Sequence, residues 1–297
     1  DGVASATLIA ENAVAAAFGP AEVGYTGRFA VARGAERFDV AVTKDWYDVR
    51  YVLAARALTE VDPAIGYVNL SGMAEPTRLE WSQALSALIG SGVRRLIVDL
   101  RENGGGRLTV AADVGSALAP DGAAGQVLVA LGFNSRHRHA NYEIRLGPNP
   151  HGQPFEQVVW ITSGLSCSAA EMLINGLSPL RPSAIIGEPT CGKPVGFTPS
   201  TFGAKVLSAV SFAGANRDGI ADFYSGLTPT CRISSDLYVA YGDPADPKLA
   251  EAIHRLQTGH CSAAAEPPPA AAAVEAKALA RWPWQDEPGL ARETGLR

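Results

Sequence analysis

The chain has 297 residues, a formal net charge of −5, and 47% hydrophobic against 19% charged residues. That length can bury one large core or two smaller ones. The charge gives no general attraction to nucleic acid or to an anionic membrane surface, and no apolar run reaches the roughly 20 residues that a spanning helix needs. The sequence starts at Asp1 without Met or a signal-like segment, as a mature or trimmed form does, so a targeting signal is expected to have been removed. In chain order, the alanine-rich stretch 7–18, followed by Gly19-Pro20, predicts a helix. Residues 24–31 and 36–42 predict two strands around a turn at Arg33-Gly34. Residues 65–70 read as an apolar strand, and 77–89 as a helix with Leu79, Trp81, Leu85 and Leu88 at near-helical spacing. A strand at 95–100, a helix at 108–118 and strands at 127–131 and 158–162 follow. A helix at 168–177 and a short strand at 184–187 then lead to Lys193. This alternation predicts an α/β core with several parallel strands. Past Cys261, the stretch 263–273 carries Pro267, Pro268 and Pro269 among alanines, which is linker chemistry. Trp282 and Trp284 lie beyond it and read either as a docking segment or as a disordered end.

The four cysteines are Cys167, Cys191, Cys231 and Cys261. None forms a Cys-x-x-Cys pair, so a structural zinc site or a thioredoxin-type motif is not expected. An even count allows two disulfides in three connectivities, and four buried free thiols are equally open at this point.

Three segments carry chemistry. The first is Leu96-Ile97-Val98-Asp99-Leu100-Arg101-Glu102-Asn103-Gly104-Gly105-Gly106, an apolar strand running into a glycine turn. The second is Ser166-Cys167-Ser168-Ala169-Ala170-Glu171. The third is Gly187-Glu188-Pro189-Thr190-Cys191-Gly192-Lys193, with Lys193 placed 25 residues after Ser168. Taken singly, each has a plain reading. Ser168 is a helix N-cap, Glu171 the far end of a capping box, Lys193 a solvated lysine, Asn103 to Gly106 a turn, and Asp99 with Arg101 a structural ion pair. Gly187 to Lys193 also matches the start of a phosphate-binding loop, but Pro194 follows, with neither a hydroxyl for magnesium nor an amide hydrogen for phosphate. His137 and His139, flanked by Arg136 and Arg138, lack the further ligands of a metal site and read as surface residues. No Gly-x-Ser-x-Gly elbow is present, which argues against an α/β-hydrolase.

Taken together and in this order, the three segments resemble peptidase family S41, the tail-specific (C-terminal processing) serine proteases, over about 65–237. The resemblance implies an S41-type core of mixed sheet with flanking helices, spanning 49–262. The helix and hairpin before it, 1–48, resemble the C-terminal part of a PDZ-like domain; a small embellishment of the core is the other reading. The region 263–297 is left as linker and tail. The resemblance further implies a serine endopeptidase acting on polypeptides, often near their C-termini, with no metal or cofactor. Ser168 would be the nucleophile and Lys193 its general base. The amides of Ala169 and Gly105 would stabilise the oxyanion, with Glu171 and Asn103 in support. An ordinary lysine has a pKa of about 10.4, so a lysine base needs desolvation or nearby positive charge; Val195 and Phe197 are expected to wall such a pocket. Many members have glutamine four residues after the lysine, where this chain has Phe197, so a Ser/Lys dyad is expected instead of a triad. Gly104 stands where proline is common. If Ser168 and Lys193 meet, Cys167 and Cys191 come within disulfide reach, which leaves Cys231 to pair with Cys261. Two disulfides imply an oxidising, extracytoplasmic setting such as a bacterial periplasm or cell envelope. The rival reading is a binding protein on the same fold that holds a peptide or hydrophobic ligand without cleaving it.

Overall fold

The computed structural model describes residues 5–10, 13–152, 155–234 and 239–265. Two compact units divide at Val49 and Arg50. The first holds α1 (Ser5–Ala10), α2 (Val14–Ala17), and an antiparallel hairpin of β1 (Thr26–Arg33) and β2 (Glu36–Thr43). Gly34, at φ +61°, makes the hairpin turn, a conformation that costs glycine little. The single helix expected over 7–18 is instead two short ones. Helices of this length are marginal without a packed face, and α2 buries none of its residues.

In the second unit a six-stranded mixed sheet runs in the order β14-β9-β8-β5-β4-β3. Its strands are β3 (Val52–Ala57), β4 (Ile65–Leu70), β5 (Arg95–Asp99), β8 (Gln157–Thr162), β9 (Ala184–Gly187) and β14 (Cys231–Arg232). All neighbours pair in parallel except β3 with β4. Helices α3 (Glu75–Gly90), α4 (Leu108–Leu118), α5 (Ala169–Leu177) and α6 (Pro247–Thr258) flank it. Side chains alternate between two cores. Val68, Leu70, Leu96, Val98, Val158 and Trp160 join the core of α3, α4 and α5, whereas Ile65, Tyr67, Ile97, Val159 and Ile161 join that of α6. Burial on both faces explains why these strands read as continuous apolar runs.

On α3 the buried residues are Thr77, Trp81, Leu85 and Leu88. Leu79, expected inside, is 64% exposed. Thr77 takes the inner place because its hydroxyl donates to Gly72 O at 2.9 Å. A second, antiparallel sheet, β10-β13-β6-β7, contains β6 (Val127–Phe133), β7 (Tyr142–Arg145), β10 (Val195–Phe197) and β13 (Val210–Ala215). A small hairpin of β11 (Ser200–Phe202) and β12 (Lys205–Leu207) interrupts it. Trp282, Trp284 and the triple proline lie outside the described residues.

Chain order places the site. After β5 the chain leaves through α4, β6 and β7, then returns as β8 between β5 and β9. The glycine turn, the Ser168 loop and the Lys193 loop therefore follow the C-terminal ends of three adjacent parallel strands. That edge of an open parallel sheet is where crevices form.

Candidate active site

Ser168 precedes the first residue of α5 with φ 57° and ψ −115°. It is the one non-glycine residue with positive φ among the described residues. Such a conformation costs on the order of 1–3 kcal/mol and persists only where its surroundings enforce it. Several bonds do so here. Ser168 N–H donates to Glu171 Oε2 at 2.8 Å, and Cys167 N–H donates to Asn103 O at 2.9 Å. Ser166 Oγ donates to Leu100 O at 2.7 Å, and Ser163 Oγ donates to Arg101 O. Ser163 and Ser166 thus pin the Ser168 loop to the end of β5 instead of capping a helix.

The turn after β5 lies directly against Ser168. A Cβ added to Gly105, which has φ +97°, would sit 2.7 Å from Cys167 O, 2.8 Å from Ala169 N and 2.9 Å from Ser168 Cβ. Only glycine fits this approach. Asn103 is fully buried. Its Nδ2 donates to Leu70 O at 3.0 Å, and its Oδ1 accepts Gly105 N–H at 2.9 Å. The Gly105 amide, expected to face an oxyanion, is therefore directed to Asn103, because an asparagine two residues back closes the turn on itself. Ala169 is the first residue of α5, so its N–H has no intrahelical carbonyl to reach.

Glu171, also fully buried, joins the two loops. Its Oε2 accepts both Ser168 N–H at 2.8 Å and Lys193 N–H at 2.9 Å. Its Oε1 accepts Gly192 N–H at 2.7 Å and Thr190 Oγ1 at 2.5 Å. Glu171 thus caps the helix and holds the backbone of the Lys193 loop through one carboxylate, without touching the Lys193 amine. The Cys167–Cys191 disulfide, with Cα atoms 5.2 Å apart, closes the same junction. Lys193 is half-buried, and its Nζ lies 5.0 Å from the centroid of the Phe197 ring. Among the described residues Nζ has no hydrogen-bond acceptor or carboxylate partner. Of the two residues expected to wall the amine, Val195 is half-buried and Phe197 is 43% exposed.

A family model, peptidase family S41, matches residues 64–232. The chain belongs to peptidase family S41. Its fold resembles that of a Bacteroides fragilis NCTC 9343 protein designated an S41 protease: 21% identity over 78% of this chain and 65% of that one, TM-score 0.66. It also resembles the photosystem II D1 C-terminal processing protease: 21% identity over 72% of this chain and 56% of that one, TM-score 0.53. The chain thus spans less than two thirds of either structure's length.

The remaining sequence candidates fall outside this S41 cluster. Cys231 and Cys261 form the second disulfide, with Cα atoms 5.5 Å apart, and join edge strand β14 to the chain after α6. Asp99 and Arg101 form the expected structural pair, with Arg101 Nη2 2.8 Å from Asp99 Oδ2. Asp246, which caps α6, adds a second carboxylate 2.5 Å from Arg101 Nη1. Burial works against the Arg101 charge, but Asp99 and Asp246 outweigh it and hold its pKa above the usual arginine value. His137 and His139 are exposed, near a short 3-10 turn after β6. Thr190 was missed by sequence reasoning. It is buried, and besides donating to Glu171 it accepts Leu227 N–H at 2.7 Å. A lone loop threonine carries no signal, although this one stands inside the Gly187–Lys193 motif.

Proposed function

We propose that this chain is the catalytic core of a serine endopeptidase working through a Ser168/Lys193 dyad. The observation that carries this reading is the single Glu171 oxygen that accepts the backbone N–H of both residues, beside a serine held in a strained turn. In the proposed reaction neutral Lys193 takes the Ser168 hydroxyl proton as Oγ attacks the scissile carbonyl. The Ala169 N–H receives the developing oxyanion. Gly105 N–H joins it once it exchanges Asn103 Oδ1 for the substrate oxygen. The lysine ammonium then protonates the leaving amine, and water releases the acyl group by the same route in reverse. Glu171 and Asn103 act on position, not on the proton.

Substrate polypeptides bearing free C-termini are the class that the resemblance to C-terminal processing proteases favours. The helix-plus-hairpin unit is read as the end of a PDZ-like domain. Two disulfides favour an extracytoplasmic compartment. The experiment compares wild type with Ser168→Ala and Lys193→Arg on unfolded casein, alongside fluorophosphonate labelling. Both variants are expected to lose nearly all hydrolysis while staying folded, because arginine stays charged and accepts no proton. Equal turnover by Lys193→Arg removes the dyad. No hydrolysis and no labelling by wild type leaves the binding protein.

A further inference from the structure

We propose that the Phe197 ring positions the Lys193 amine and stabilises its protonated form, acting where many S41 members use glutamine. This rests on Lys193 as the general base. The Nζ lies 5.0 Å from the ring centroid, inside the roughly 6 Å range of a cation–π contact, and no oxygen acceptor competes for it among the described residues. A lysine stem rotates freely, so a lone contact at its end decides where the amine rests.

The local fold aims this ring. Phe197 ends β10, the edge strand of the second sheet. The pairing of β10 with β13 shifts register between Gly196 and Phe197, and such a bulge redirects the next side chain. Gly196 is fixed by the Phe212 ring, whose atoms would lie 2.2 Å from an added Cβ. Phe212 in turn packs on Phe133 at 5.6 Å between centroids. The backbone before Phe197 is therefore closely packed although its ring is partly exposed.

An aromatic face attracts an ammonium and not a neutral amine. It holds the charge that develops on Nζ as the serine proton arrives. Other charged and titratable groups on the packed elements are already committed or lie apart. Glu171 on α5 is filled by backbone donors. Glu188, on the same loop, pairs with Lys248 of α6 at 2.8 Å. Asp222 and Tyr224 lie on the segment that crosses at Gly192, where an added Cβ would meet Tyr224 O. Strand β13 contributes no titratable side chain.

The test measures kcat and KM for fluorescein-casein from pH 6 to 10 on wild type, Phe197→Leu, Phe197→Trp and Lys193→Ala, with a melting curve for each. An exposed cation–π contact predicts that Phe197→Leu lowers the plateau kcat about two- to fivefold, with KM little changed. Phe197→Trp is expected to restore kcat. The proposal is overturned if the leucine variant superimposes on wild type in kcat. It is equally overturned if leucine and tryptophan lose kcat alike. Wild-type activity in Lys193→Ala would remove the base assignment itself, a result distinct from either.

Discussion

Glu171 takes no proton in the proposed reaction, yet it accounts for more of the site's geometry than either reacting residue. Four donors converge on its carboxylate, and all four are in the loops carrying Ser168 and Lys193. A carboxylate offers about four acceptor sites; an amide of the same shape offers two and adds two donors. Glu171→Gln therefore places an NH2 group against backbone N–H groups. Each buried donor left unpaired costs roughly 1–3 kcal/mol. The expected result is a lower melting temperature and at least about a tenfold loss in kcat/KM on casein, since the strained Ser168 turn loses what enforces it. Turnover unchanged from wild type would mean that the disulfide alone sets the two loops.

The two disulfides divide labour between elements. Cys167–Cys191 spans 24 residues and joins the entry of α5 to the Lys193 loop, and Cys231–Cys261 spans 30 and joins β14 to the chain after α6. In a chain-entropy view each stabilises by about 3–4 kcal/mol, so stability does not tell them apart. Position does. Replacing both Cys167 and Cys191 by alanine is expected to lower kcat well below each variant's melting temperature. The matching Cys231 and Cys261 variant should melt earlier but turn over normally in the cold. Equal effects on kcat would show that the first bond has no special bearing on the site. Legibility in the sequence follows the same elements. Strands β4, β5, β8 and β9 and helices α3 to α5 were readable because they fill a core buried from both sides. The pairing of Cys167 with Cys191 was readable because Cys167 adjoins Ser168 and Cys191 lies two residues before Lys193. Strands β10, β11, β12 and β14 have only two or three residues, and β11 and β12 are exposed along their length, so no alternation marks them. Helix α6 was missed although Asp246, Pro247 and Gly259 supply a cap, a first-turn proline and a left-handed stop. Its polar outer face and buried Lys248 hid the apolar stripe of Leu249, Ile253 and Leu256.

Across the second unit, a buried ionic chain reinforces the core that β4 and β5 share with α6. Tyr67 of β4 donates to Asp99 of β5 at 2.7 Å. Asp99 pairs with Arg101, and Arg101 pairs with Asp246 at the start of α6. Beside them Tyr241 donates to Glu102. Burial, followed by the Asp99 charge and hydrogen bond, pushes the Tyr67 pKa well above its ordinary value. Burial and Glu102 raise that of Tyr241. An unfolded tyrosine titrates near pH 10. Below that pH both states keep the phenol proton, and the contribution of these groups to stability is fully present. Above it the unfolded chain releases protons that the folded chain retains, so stability falls as pH rises. The urea midpoint is therefore expected to drop more steeply from about pH 9.5 to 11, which brackets the ordinary tyrosine value of about 10, than from about pH 7 to 9. Tyr67→Phe separates this from the titration of surface lysines. It lowers the midpoint at pH 8, because Asp99 loses a donor, yet its alkaline slope should be shallower than that of wild type. Parallel slopes for the two proteins would show that the Tyr67 hydroxyl is not a source of alkaline sensitivity, and that the buried chain contributes to stability only through its charges.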